Sequence, residues 1–113
     1  MTDRLDGGAR RAILDAVAAL ETESVETLLR LTRCPSTLGN EQSALAEMAR
    51  IYESLGLTPR RVPVVPAALE GHPGFSPPLI AYEGRDNVVA EYAPRGGGGR
   101  SLCLQGHVDV VPE

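Results

Sequence analysis

The stretch Ser101-Leu102-Cys103-Leu104-Gln105-Gly106-His107-Val108-Asp109-Val110-Val111-Pro112 restricts the fold more than any other. Small and apolar residues run without a charge up to Gly106, the pattern of a strand buried on both faces. Such a strand needs neighbours at its edges and covering layers above and below. Its second half sets a histidine and a carboxylate two residues apart, on one face of an extended backbone. A carboxylate there can accept the proton of one imidazole nitrogen, fix the tautomer and leave the other nitrogen free for a metal. His107 alone does not complete such a site, because catalytic zinc normally takes three protein ligands and keeps one position open. Only Cys103 and Glu113 lie near enough in sequence to add donors.

The segments before it alternate in type. Residues from about Ala9 to Arg33 have a helical apolar stripe, Ile13, Leu14, Val17 and Leu20, continued by Val25, Leu28, Leu29 and Thr32. The acidic cluster Glu21, Glu23 and Glu26 around Ser24 marks a candidate break, so one helix or two satisfies the pattern, and either way its role is packing. Pro35 ends the element near Arg33. After the turn-rich Pro35-Ser36-Thr37-Leu38-Gly39-Asn40-Glu41, Asn40 is a candidate N-cap for a helix to about Leu55, with Leu45, Met48, Ala49, Tyr52 and Leu55 on the core side. Gly56 suits the left-handed position that closes it.

Arg60 to Val65 reads as a short strand, placed near an edge by Pro63. From Pro66 to Asp86 the Pro and Gly content predicts a long loop, in which His72 is expected to be exposed. Asn87 to Tyr92 is the next strand. The glycine-rich turn from Pro94 to Arg100 is expected to join it to the Ser101 strand as a hairpin. The expected order is helix, helix, strand, long loop, strand, turn, strand.

Charge and cysteine content narrow the function. The net charge is -4, and the eleven basic residues are all Arg and are spread along the chain, which disfavours nucleic-acid binding. No run approaches a membrane span, and the start of the chain lacks a signal-peptide core, so a cytoplasmic protein is expected. Residues 1–8 are expected to be disordered. Cys34 and Cys103 form no CxxC pair and are read as small buried hydrophobes.

Three features in order resemble the N-terminal end of the zinc-dependent amidohydrolase and metallopeptidase family of acetylornithine deacetylase, succinyl-diaminopimelate desuccinylase, aminoacylase and glutamate carboxypeptidase. They are Cys34-Pro35-Ser36 with Gly39-Asn40-Glu41, then Asn87-Val88-Val89-Ala90, then the string from Leu102 to Pro112. The resemblance runs from about Ile13 to the end of the chain. It implies an α/β fold, the incomplete N-terminal part of a zinc-exopeptidase-like catalytic domain with helices packed on a mixed sheet. It places a zinc ligand at His107 and the catalytic-site aspartate that orients it at Asp109. Gly106 leaves room beside them for a metal or substrate.

The family's bridging aspartate, its glutamate pair and its remaining ligands lie downstream of this motif, and its lid or dimerisation domain is absent from residues 1–113. The implied cofactor is a pair of Zn2+ ions, with Co2+ able to replace them. The implied substrate is an N-acyl amino acid or a peptide, and the parent protein is expected to be a homodimer. The deacetylase and desuccinylase branch is favoured by the residues around His72-Pro73-Gly74-Phe75 and Arg85-Asp86-Asn87. The competing reading is a catalytically inactive remnant or a small interaction module.

Overall fold

The computed structural model describes residues 6–94, 96 and 99–112. It is a small mixed α/β structure with three α-helices, α1 (Gly7–Ala19), α2 (Glu21–Thr32) and α3 (Gln42–Ser54). Two short strands, β1 (Arg60–Val62) and β2 (Asn87–Val89), form a two-stranded antiparallel sheet. The chain divides into two compact units after Arg30.

The first unit holds α1 and most of α2. Helix α1 starts at Gly7 because Asp6 caps it, its Oδ1 accepting the Ala9 N–H at 2.8 Å. Of residues 1–8, expected to be disordered, Gly7 and Gly8 form the first turn of α1, and residues 1–5 lie outside the described residues. The break between the helices falls at Leu20, and Glu21 and Glu23 occupy the first turn of α2, where carboxylates favour the positive end of the helix dipole. The expected packing role is not seen among the described residues of these helices. Neither helix buries a residue, and Ile13, Leu14, Val17, Leu20, Val25, Leu28 and Leu29 are all exposed. Periodicity sets which side of a helix is apolar, whereas burial also needs a facing surface.

The second unit is built around α3, which packs on β2. Its buried face is Ala44 and Ile51, with Leu45, Met48, Ala49 and Tyr52 half-buried beside them. The expected stripe is therefore rotated, and Leu55, its last member, is the exposed C-cap. Asn40 is not the N-cap. Its Nδ2 donates to Thr37 Oγ1 at 3.0 Å and its N–H to the Thr37 carbonyl at 2.8 Å, so it is used inside the preceding turn and Glu41 takes the cap position. The C-terminal end of α3 follows the expectation closely. Gly56 has φ +75°, its N–H bonds the Glu53 carbonyl at 2.9 Å, and the Leu57 N–H reaches back to the Tyr52 carbonyl at 3.0 Å. That pair of bonds is the Schellman closure, which needs a left-handed residue at this position.

Strand β1 stops at Val62 because Pro63 has no N–H to offer a ladder. Pairing runs Arg60 to Val89, Arg61 to Val88 and Val62 to Asn87. The hairpin expected between the Asn87 and Ser101 segments is not formed: β2 pairs with β1, and residues 99–112 contain no strand. Leu102 and Leu104 are 83% and 87% exposed, and Cys103, expected to be buried, is exposed as well. A strand apolar on both faces gains from forming only where both faces are covered, and the two three-residue strands do not supply that cover. Between the strands, residues 66–86 hold one 3-10 turn, Pro66–Ala68, and otherwise no helix or strand. No described helix is long and apolar enough to cross a membrane.

Gly56→Ala is expected to destabilise the second unit by roughly 1–2 kcal/mol, the cost of a left-handed conformation for a residue with a Cβ. Nothing lies within 4 Å of a Cβ built at Gly56, so backbone strain alone is tested, and a urea midpoint equal to that of the parent chain would contradict it.

Candidate functional site

His107 and Asp109 meet as their spacing predicts. His107 Nδ1 lies 3.2 Å from Asp109 Oδ1 and 3.1 Å from the Asp109 backbone carbonyl oxygen. The backbone carbonyl is the hydrogen-bond acceptor and the carboxylate lies within ion-pair distance, so Nδ1 is the nitrogen engaged as a donor and neither group uses Nε2. The imidazole is largely exposed, so Nε2 is open to a ligand. The contact is made within three residues and does not depend on a strand.

The motif is attached to the rest of the second unit at one backbone point. Among the described residues, the Val110 N–H donation to the Ser36 carbonyl, 3.0 Å, is the backbone hydrogen bond linking residues 99–112 to the earlier chain. Ser36 belongs to the Pro35–Glu41 connector, and Ser36 and Glu41 are the buried polar residues among those described, 7% and 5% exposed. The connector is held by its own bonds: Ser43 Oγ donates to the Pro35 carbonyl at 2.9 Å, and the Gly39 N–H donates to Glu41 Oε1 at 3.0 Å. Gly39 sits at φ +89°, where a Cβ would meet Ile80 Cδ1 at 3.3 Å, so the residue is glycine for both backbone and space.

Glu41 pairs with Arg85, 44 residues on, in a two-pronged contact: Nη2 to Oε1 at 2.6 Å and Nε to Oε2 at 3.1 Å. The guanidinium also lies 5.2 Å from the Tyr82 ring centre and donates to the Ala81 carbonyl at 3.4 Å. The Arg85 hydrogen bonds hold the Glu41 carboxyl below the usual carboxylate range, against the opposing effect of its burial. Arg85 is pushed up in turn, first by Glu41, with smaller contributions from the charges of Tyr82 and Asp109. Asp109 therefore lies within electrostatic reach of the Glu41–Arg85 pair. Glu41 stands in one of the strings that carry the family resemblance, and Arg85 in the segment that favours the deacetylase and desuccinylase branch, but their pairing has no local signal; the clue available is that each is a charged residue set in or beside a turn.

Other candidate residues stay apart from this cluster. His72 is exposed, and its Nδ1 accepts the Gly74 N–H at 3.1 Å; it lines a shallow open depression with Leu69, Phe75 and Tyr82. Glu113 lies outside the described residues. Among those described, no three His, Cys, Asp or Glu side chains converge in a group able to hold a metal. His107 Nε2, with its ring braced through Nδ1, suits one ligand position of a zinc ion, and Asp109 is already committed to the ring.

No family model matches the chain. No solved structure matches it either. A succinyl-diaminopimelate desuccinylase from Rhodospirillum centenum is 34% identical to it over 82 residues. The match covers 73% of this chain and spans 17% of the length of that relative.

The depressed Glu41 carboxyl makes the second unit acid-sensitive. A carboxylate whose folded pKa lies below its unfolded value contributes stability that is fully present above the unfolded value, about 4.3, and is lost as pH falls through the folded value. Urea midpoints measured from pH 7 downward should therefore fall below about pH 4.3, and in Glu41→Gln this component should vanish while stability at pH 7 drops. An identical pH profile in parent and variant would contradict it.

Proposed function

We propose that this chain is the N-terminal part of the catalytic domain of a metal-dependent hydrolase that cleaves the amide bond of N-acyl amino acids, of deacetylase or desuccinylase type, or of peptides. The observation that carries the reading is the His107–Asp109 pair, with Nδ1 engaged and Nε2 open, in the string from Leu102 to Pro112. Similarity to a desuccinylase supports the reaction class.

In this reading His107 is a zinc ligand and Asp109 holds its ring. Zinc bound there would supply Lewis-acid polarisation of the scissile carbonyl, and cobalt can take its place. Asp109 contributes by fixing the tautomer and raising the basicity of Nε2. The remaining ligands and the general base belong to sequence beyond residue 113 of the parent enzyme, a cytoplasmic homodimer acting on a small acylated substrate. Neither nucleic acid nor membrane is a partner.

Zn2+ titration of the 113-residue chain, followed through the His107 imidazole 15N resonances, tests the assignment. Weak binding through Nε2 is expected, weakened roughly 10–100-fold in Asp109→Ala, and in His107→Ala the zinc-induced shifts of the neighbouring backbone amides should disappear. Imidazole signals that do not respond to zinc would sink it. The same chain is expected to release no acyl group from N-succinyl or N-acetyl amino acids, since one ligand and no general base cannot complete the reaction. Reading the gene past codon 113 supplies the second test: an in-frame aspartate followed by a Glu-Glu pair fits the proposal, and a stop codon there supports a non-catalytic module instead.

A further inference from the structure

We propose that Arg85 is a positioning residue for the His107–Asp109 turn, acting through its two-pronged contact with Glu41 on the connector that anchors Val110. The inference deepens the proposed function, and only the description of His107 as a metal ligand rests on that reading.

The connection can be followed atom by atom. Arg85 Nη2 and Nε hold both oxygens of Glu41, and Glu41 Oε1 also accepts the Gly39 N–H. Glu41 and Ser36 are the buried ends of one otherwise mostly exposed turn, and the Ser36 carbonyl accepts the N–H of Val110, the residue next to Asp109. Two groups of the motif are thus addressed from the same place: the backbone at Val110 through Ser36, and the Asp109 charge by the guanidinium itself, which it reaches electrostatically. A free carboxylate at Asp109 could turn to solvent, because its side chain and that of His107 are exposed. The Ser36–Val110 hydrogen bond holds the backbone next to Asp109, which limits where its carboxylate can swing and favours Oδ1 beside Nδ1. The fork geometry of arginine matters here, since an ammonium offers a point charge without two parallel donors.

The test is made on the full chain without metal at pH 8, where histidine is neutral. Val110 amide exchange and the His107 Nδ1 and Nε2 15N shifts are compared in the parent, Arg85→Gln and Arg85→Lys, with the amides of α3 as the gauge of folding. In Arg85→Gln the Val110 amide should exchange on the order of tenfold faster, the loss expected for a charge-assisted contact. The His107 shifts should move toward a mixture of tautomers while α3 stays protected. Arg85→Lys should recover part of the His107 signature, through the charge, and less of the Val110 protection. Unchanged Val110 and His107 signals in Arg85→Gln overturn the assignment. Loss of α3 protection in parallel, in both variants, overturns it too, since the pair would then hold the unit as a whole and not the turn. Neither readout uses a metal, so failure of the zinc assignment leaves this inference standing, and its own failure leaves that assignment standing.

Discussion

The contact between Glu41 and Arg85 is the constraint on which the placing of the connector, and through it of the motif, depends. A nearly buried carboxylate without a partner would be too costly to keep, and a buried ion pair repays its desolvation only where the geometry is good and the remaining lone pairs are used. Both conditions hold. The guanidinium meets the two carboxylate oxygens in parallel, and the Gly39 N–H takes a further site on Oε1. Joining residues 44 apart in sequence, the pair fixes the connector against the end of the long loop, immediately before β2, on which α3 packs. The position of Glu41 at the start of α3 adds to this, because a negative charge there also faces the positive end of the helix dipole.

Away from that contact the chain holds much apolar surface in solvent. The stripes of α1 and α2, and Leu102, Leu104 and Val111, are exposed. Isolated apolar side chains on a surface are ordinary, but contiguous ones mark surfaces that gain by being covered. Membership of a larger catalytic domain, as proposed, supplies that cover. In that proposal the stretch from Ser101, strand-like in composition, would form its strand against such neighbours; among the described residues its apolar side chains are exposed.

What was legible in the sequence is what local chemistry decides. Pro35 closes α2, Pro63 closes β1 and Gly56 closes α3, each through a restriction that belongs to the residue itself. The acidic residues at Glu21 and Glu23 marked a real helix start. Errors arose where two local options compete or a distant partner chooses. Asn40 had the right side chain for a cap, but Thr37 was nearer and claimed it. The four-glycine turn made a hairpin from Asn87 to Ser101 the simplest pairing, yet β2 found β1 across the long loop. The Glu41–Arg85 pair has no periodicity to betray it, since a single pair of charges so far apart leaves no pattern in the sequence between them.

The candidate site divides along the same line. The contact of His107 Nδ1 with the Asp109 carbonyl and carboxylate is decided by two residues flanking a single valine, so it forms even though the segment around it is not a strand. What a sequence of this kind cannot encode locally is the convergence of several ligands, which requires separate segments to be brought to one point. The structure joins three such segments by direct contacts: Arg85 at the loop end to Glu41 on the connector, and Ser36 of the same connector to Val110 of the motif. A ligand ring oriented before the ion arrives loses less rotational freedom on binding than one that must be ordered by it. In the proposed function the scaffold around Glu41 and Arg85 would contribute to that ordering as well as to support.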